Sequence, residues 1–465
     1  MGRFLNSRIK DERIASVHLE PVADGDRAGS EVASAIPADA PNVVHWFGLW
    51  VLALYSVAGF FNELILRVAG FNPRVGTIAG LALFGAFILS RGLSRSFSNR
   101  LAWLWWGLII WMLVCVPFST WRRGSLLLVW EYGIHSHVLF FFALAFLLNL
   151  KQCRVFMLAT ALGSYVLLLW CYLFGAMDPV SYRFTIPKSL FFGNANDLGI
   201  YIAISMGSLA YLLMQKSLFL RFFGLLGLPI AFFYLLKTGS RGAAIACAAF
   251  VVTAFFYSRG VAKMMVVVGL ALVAAVAIVT IPSATLSRLT MVFLDPKEEV
   301  RAERVSSDME MHSIASQIAR SELIKLSLWY TITNPVFGVG PGEFIDRVGG
   351  DAAMKSKRSG WVGTHNAYTQ VSSECGLPAA FLFLSVLWLV LRTAHRLLAQ
   401  SRGHPELVMV NQLAFALLLT TVAFSVSALF HHIAYTSYLA LLGGQALAYE
   451  HAARPLLARI QSGIA

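Results

Sequence analysis

Apolar stretches of about 20 residues recur almost from end to end of this chain of 465 residues. A stretch of that length can cross the hydrocarbon core of a bilayer as a helix, which satisfies its own backbone hydrogen bonds. The chain is 58% hydrophobic and only 13% charged, a balance that excludes an ordinary soluble domain. We therefore predict an all-α integral membrane protein with about 12 transmembrane helices and one large extracytoplasmic helical loop.

The apolar pattern also divides the chain. Residues 1–42 are predicted to form a cytoplasmic tail, residues 43–282 transmembrane helices 1–9, residues 283–365 the large outer loop, residues 366–450 the re-entry and helices 10–12, and residues 451–465 a second cytoplasmic tail. The predicted spans are 43–61, 75–91, 101–119, 126–149, 155–177, 197–214, 222–237, 242–258, 264–282, 377–392, 409–428 and 433–449.

Lysine and arginine accumulate on alternate short connections, as expected where loops stay on the cytoplasmic side. This distribution explains the net charge of +13 better than nucleic-acid binding does, because the basic residues form neither a face nor a run. The five cysteines have no metal-type spacing and are interpreted as small core residues. The predicted inner connections carry Arg91, Arg95, Arg100, Lys151, Arg154, Lys216, Arg221, Arg259, Lys263, Arg392, Arg396 and Arg402.

Two predicted outer segments place arginines where the topology rule does not require them. Arg183 precedes a Gly-Asn-Asp cluster at residues 193–197, which we interpret as a turn capping a helix near Leu198, with Asn196 and Asp197 as the favoured capping residues. Arg241 lies in the tight turn at residues 238–242. Its guanidinium could bind phosphate or merely anchor the chain at the interface, and the sequence favours neither interpretation.

The long outer loop contains two further segments with candidate functional residues. Residues 314–332 predict an amphipathic helix that carries Arg320 and stops before Pro335, followed by a glycine-rich turn at residues 337–342. Thr364-His365-Asn366 closes the loop, and a histidine suits proton transfer from a hydroxyl, although a lone histidine is more often structural. His431 and His432 occupy another outer connection and could lie near His365.

The outer loops have neither a Walker-type phosphate loop nor an Asp-x-Asp pair, so they have no motif for binding a nucleotide substrate. A reaction at this face would therefore use a preactivated substrate, and a lipid-linked diphosphate meets that requirement.

Taken together, the ordered motifs resemble the O-antigen ligase and O-antigen polymerase superfamily, and most closely an O-antigen ligase. His365, Asn366 and Gly376 match the family's signature of His, then Asn, Ser or Gln, then nine residues, then Gly. Arg320, followed by Pro335 and the turn at residues 337–342, resembles its Arg helix and Pro-x-x-Gly-x-Gly turn. The remaining matches are Gly193-Asn194-Ala195-Asn196, in which Ala195 replaces a proline, and Ser240-Arg241, while Ile324 departs from a frequent tryptophan.

The resemblance implies a metal-independent glycosyltransferase without cofactors in the bacterial inner membrane. It implies an undecaprenyl diphosphate-linked glycan as donor, and lipid A core or another glycan as acceptor, at a periplasmic site with both termini cytoplasmic. His365, Arg241 and Arg320 would be catalytic, and the substrate would be bound by Arg183, Asn194, Asn196 and Asn366.

Several alternatives stay open at this point. Within the family, a polysaccharide polymerase or a protein O-oligosaccharyltransferase would carry the same motifs. A transporter of lipid-linked sugars would also have about a dozen helices and cationic outer loops, but such carriers place ionisable groups near the membrane midplane. Here the main mid-span groups are Glu131, His135 and His137.

Overall fold

The computed structural model describes residues 41–462, apart from residues 91, 98, 180, 190, 281–284, 286–307 and 355–362. The predicted N-terminal tail lies almost wholly outside the described residues, as do parts of the long loop and the last three residues of the chain. The structure is 80% helical and nearly without sheet.

The helices follow one another with short connections. They are α1 (Val43–Ala69), α2 (Val75–Leu89), α3 (Gly92–Arg95), α4 (Arg100–Cys115), α5 (Arg122–Tyr132), α6 (Leu139–Phe146), α7 (Leu150–Phe174), α8 (Ala195–Leu213), α9 (Leu218–Lys237), α10 (Arg241–Tyr257), α11 (Val261–Thr280), α12 (Asp308–Thr333), α13 (Phe344–Met354), α14 (Ala367–Ser401), α15 (Val408–Ser427) and α16 (Ser437–Gln461). A π-helical turn, Gly133–His137, joins α5 to α6, and a two-residue hairpin pairs β1 (Ala176–Met177) with β2 (Phe184–Thr185).

Eight helical segments of the described chain are long and apolar enough to cross a membrane, and three shorter apolar helices accompany them. The predicted all-α membrane fold is confirmed. Each of the twelve predicted spans overlaps a helix, but the number twelve itself stays a prediction.

Asparagines begin several of these helices, which explains their starting points. The side chain of Asn42 accepts a hydrogen bond from the backbone N–H of His45, that of Asn99 from Leu101, and that of Asn149 from Gln152. Each bond satisfies one of the backbone donors that a helix leaves unpaired in its first turn. These apolar segments therefore have defined N-terminal ends.

The interior and the exterior of the bundle are both apolar. α8 and α15 lie at its centre, with 78% and 61% of their most apolar windows buried, whereas the same measure is 28% for α1 and 22% for α9. Large apolar side chains are exposed on the outside, among them Leu81 at 70%, Phe256 at 71% and Trp388 at 63%. Such a surface is stable against hydrocarbon rather than water.

The long loop contains the predicted helix. α12 runs from Asp308 to Thr333 and ends two residues before Pro335, which confirms the prediction of a helix stopped by that proline. α12 packs against α14, the helix that follows the loop. α14 begins at Ala367, ten residues before the predicted span, because its first part is a separate helical segment broken from the rest at Gly376.

Candidate functional site

His365 stands immediately before α14 in a strained backbone conformation. Its φ is +52°, in the left-handed region that non-glycine residues seldom adopt. Asn366 follows it and caps the helix, because its Oδ1 accepts hydrogen bonds from the N–H groups of Tyr368 and Thr369 at 2.9 and 3.0 Å. Its Nδ2 donates to the carbonyl of Leu429 at 3.1 Å. The signature asparagine is thus the cap of α14 and a tie to the connection between α15 and α16.

That tie brings two further histidines beside the first. The ring centroid of His365 lies 5.9 Å from that of His431 and 5.5 Å from that of His432, and the latter two rings stack at 4.7 Å. The sequence left this proximity open, and the structure confirms it. Across the cluster, Nε2 of His431 lies 2.6 Å from Oδ1 of Asp197 on α8. Neither His431 nor Asp197 was predicted as a site residue.

Electrostatics also place Arg320 in this neighbourhood. The pKa of His365 is lowered to about 3, first by burial and then by the positive charge of Arg320 and the two neighbouring histidines. The negative charge of Asp197 opposes these effects and raises the pKa of His365. The pKa of His432 falls to about 4, mainly through burial. At neutral pH both imidazoles are therefore uncharged, each with a lone pair available.

Arg320 itself lies in the middle of α12. Burial lowers the pKa of its guanidinium, but an arginine remains charged at neutral pH. A cation next to an uncharged imidazole provides a positive potential at the place where His365 stands. The structure thus brings together two of the three residues predicted to be catalytic.

Arg183 connects the two remaining predicted segments. Its Nε donates to the carbonyl oxygen of Thr238 at 2.9 Å, and its Nη2 donates to Oδ1 of Asn196 at 2.6 Å. The hairpin holds its backbone, because the Asp178 N–H donates to the Arg183 carbonyl at 2.9 Å. Arg183 therefore joins the start of α8 to the turn that precedes Arg241.

The start of α8 differs from the prediction. The N-cap is Asn194, whose Oδ1 accepts from the N–H of Asn196 at 2.9 Å, and the helix begins at Ala195. Capping by Asn196 and Asp197 is therefore wrong. Both residues lie inside the first turn, which leaves their side chains to bind Arg183 and to approach His431.

Arg241 is the first residue of α10. Gly239, at φ +59°, makes the turn, and Ser240 caps the helix by accepting from the N–H of Ala243 at 3.4 Å. A Cβ at Gly242 would meet the Cβ of Phe430 at 2.6 Å, so α10 begins directly against the connection that carries His431. The connection at residues 428–436 is thus the common neighbour of α8, α10 and His365.

The signature glycines explain how the loop meets α14. The N–H of Gly340 donates to the Glu374 carbonyl, and the N–H of Leu377 donates to that of Pro335, at 2.9 and 2.8 Å. A Cβ at Gly338 would overlap the backbone of Glu374, and a Cβ at Gly376 would overlap that of Val336. The turn and the break in α14 therefore interlock backbone against backbone, which requires glycine at both positions.

A buried carboxylate completes this junction. Oε2 of Glu374 accepts a hydrogen bond from the N–H of Gly342 at 3.0 Å, and the side chain is 3% exposed. On the other side of α14, Nε1 of Trp111 donates to the Cys375 carbonyl at 2.9 Å. The junction between loop and helix is held from both sides, so the loop is fixed where it rejoins the bundle.

The mid-span groups of the carrier alternative lie elsewhere. Glu131 and His135 are exposed on the outside of the described structure. His137 is buried, and its ring stacks on that of Trp105 with centroids 4.5 Å apart. These three groups therefore do not converge on one intramembrane site.

Several interhelical connections thus meet at one end of a bundle of apolar helices, and they define an integral membrane protein with a cationic and imidazole-rich site there. Residues 226–384 match a family model described as O-antigen ligase, a match that includes Arg241, Arg320, His365 and Gly376. This match confirms the resemblance to the O-antigen ligase superfamily that the motifs indicated, over these residues. No curated protein matches the chain.

Proposed function

We propose that this protein transfers a glycan from undecaprenyl diphosphate to an acceptor hydroxyl at the periplasmic face of the inner membrane. The observation that carries the proposal is the match of residues 226–384, which include Arg241, Arg320 and His365, to the O-antigen ligase family. A fixed cation beside a neutral imidazole is the pair of groups that this transfer needs. One binds the departing diphosphate and the other receives the proton.

The proposed reaction is a single displacement. The acceptor oxygen attacks the anomeric carbon of the donor sugar, and the bond between that carbon and the diphosphate oxygen breaks with inversion. The diphosphate leaves with the bonding electron pair, and the acceptor proton passes to the imidazole of His365. Arg241 and Arg320 bind the diphosphate and stabilise the negative charge that grows on it.

The strained backbone of His365 supports its role. A φ of +52° is costly for a histidine, and the hydrogen bonds of Asn366 hold the next residue in place. Such strain clusters at functional sites, where it aims a side chain that a relaxed backbone would direct elsewhere. Asn366, predicted to bind substrate, is therefore proposed to position His365.

The hydrogen bonds of Arg183 likewise favour a supporting role over direct substrate binding. It donates to Thr238 and Asn196, and Asn194 caps α8. These three predicted substrate-binding residues hold one another and the turn before Arg241. We assign Arg183, Asn194 and Asn196 to the support of the diphosphate site, in which Arg241 is the direct ligand.

The acceptor proposed is the lipid A core, as for a ligase. Another lipid-linked repeat would make the protein a polymerase, and a protein side chain would make it an oligosaccharyltransferase. The experiment supplies purified protein and purified lipid-linked donor with each acceptor class in turn and analyses the products by mass. A product with lipid A core supports the ligase, and a product with only one of the others assigns that function instead.

Site variants test the residues. We expect His365→Ala and Arg241→Ala to lose transfer, and Arg320→Lys to be impaired because lysine lacks the planar fork of donors. Arg347→Ala, at an exposed arginine on α13 in the same loop, is the matched control and should keep activity. Wild-type transfer by His365→Ala and Arg241→Ala would overturn the assignment. Product formation without an ion gradient distinguishes the enzyme from a carrier.

A further inference from the structure

Three histidines from two connections bring ring nitrogens close together. One ligand nitrogen each from His365, His431 and His432 lies within 4.8 Å of the others. Nδ1 of all three is buried without a hydrogen-bond partner among the described residues. A buried polar atom without a partner is costly, so three of them together indicate a ligand that is held there.

The spacing suits a metal ion. Tetrahedral coordination with metal–nitrogen bonds of about 2.0–2.1 Å separates neighbouring nitrogens by about 3.3 Å. The observed limit of 4.8 Å is about 1.5 Å wider, so metal binding requires the imidazole rings to move closer together. A site of three imidazoles with an open fourth position binds Zn²⁺ and Co²⁺ in preference to Mg²⁺ and Ca²⁺.

Asp197 provides the expected support behind the cluster. Its Oδ1 lies 2.6 Å from Nε2 of His431, which leaves Nδ1 of that ring as the atom that faces away from the carboxylate. A carboxylate behind a metal-binding imidazole orients the ring and makes it a better ligand. The negative charge of Asp197 also opposes the positive charge of Arg320, the nearby group that disfavours a cation.

We propose that His365, His431 and His432 form a binding site for a divalent transition-metal ion such as Zn²⁺, and that its occupation inhibits the protein. The inhibition rests on the proposed function, because a metal bound to His365 uses the lone pair that would receive the acceptor proton. The binding does not rest on it. Catalysis belongs to the metal-free form, and the site makes transfer sensitive to periplasmic zinc.

Binding is tested on the full-length purified protein, prepared with an affinity tag that contains no histidine. The protein is stripped with a chelator, equilibrated with Zn²⁺ or Co²⁺, separated from free metal and analysed by elemental mass spectrometry. We expect one metal per chain, and for Co²⁺ the visible absorption bands of a tetrahedral site. Absence of saturable binding in the wild-type protein overturns the proposal.

Variants locate the site. His432→Ala should remove saturable binding, and Asp197→Asn should weaken it about 10- to 100-fold, as loss of a supporting carboxylate does elsewhere. His404→Ala replaces an exposed histidine in the connection before α15 and should bind like the wild type. Equal metal binding by His432→Ala and the wild type overturns the assignment of the site to these histidines. Elution volume and thermal melting of each variant confirm that it is folded.

Inhibition by the metal is measured separately from metal binding. Transfer by each variant is measured with and without Zn²⁺ and expressed relative to its own chelator-treated activity. Wild-type transfer should fall at concentrations that fill the site, and His432→Ala should lose this sensitivity. Metal binding without any transfer contradicts the proposed function, whereas equal zinc inhibition of both proteins contradicts inhibition through this site.

Discussion

The guanidinium of Arg183 donates from Nη2 to Oδ1 of Asn196 across 2.6 Å, and so joins the hairpin to the first turn of α8, whose apolar window is 78% buried. Its Nε donates to the carbonyl of Thr238, three residues before Arg241. Arg183 thus holds together two segments that are far apart in the sequence. Its effect on activity should pass through the geometry of Arg241.

Arg183→Lys tests this arrangement, because lysine keeps the charge but cannot make the same pair of bonds. We expect a loss of about 1–3 kcal/mol in the free energy of unfolding and a marked decrease in transfer. Thermal melting and product formation measure the two effects. Arg347→Ala should change neither, and a fully active Arg183→Lys would show that the bonds do not position Arg241.

Gly376 should tolerate no side chain. Its φ is +77°, and a Cβ would overlap the carbonyl of Val336. Gly376→Ala should destabilise the protein by about 2–6 kcal/mol, the sum of backbone strain and overpacking. The yield of folded protein and its melting temperature report the loss.

Gly85 offers a matched control for that substitution. It lies in α2, and a Cβ there would meet nothing within 4 Å. Because alanine is also the better helix former, Gly85→Ala should be neutral or slightly stabilising. If both alanine variants melt alike, the close approach of the turn to α14 is not a constraint.

Asn366 has two separable roles. Its Oδ1 caps α14, whereas its Nδ2 donates to Leu429. Asn366→Ala should cost about 1 kcal/mol through the lost cap and should also decrease transfer, because His365 loses its support. Asn366→Asp keeps the cap but not the donor, so its stability should be intermediate. Equal melting temperatures for the two variants would contradict this separation.

Glu374 should contribute more to the free energy of unfolding than an exposed carboxylate does. Replacing it with leucine leaves the buried N–H of Gly342 without its acceptor, which should cost about 1–3 kcal/mol. Glu374→Gln retains an acceptor oxygen and should lose less.

The comparison is Glu322, which forms an exposed pair with Lys325 at 2.7 Å. Glu322→Leu should change stability by less than about 1 kcal/mol, because solvent screens such pairs. Denaturation monitored in the same detergent provides both values, and a larger loss at Glu322 would refute the role of the buried carboxylate.

The fold class and much of the site follow from local sequence. Apolar stretches of membrane length predict helices because a spanning chain has no other way to satisfy its backbone. Pro335 predicts the end of α12 because proline cannot continue a helix beyond it. The spacing of His365, Asn366 and Gly376 indicates the family, since it is set by one helical segment and its cap.

The tertiary structure alone decided which distant residues meet. No local pattern marked Asp197, His431 and His432 as site residues, and the packing of α8 and α15 brings their connections to His365. Asn196 lost its predicted capping role because α8 begins at Ala195, which leaves the asparagine side chain to Arg183. Local propensity fixes each helix, but contacts between connections depend on how the helices pack.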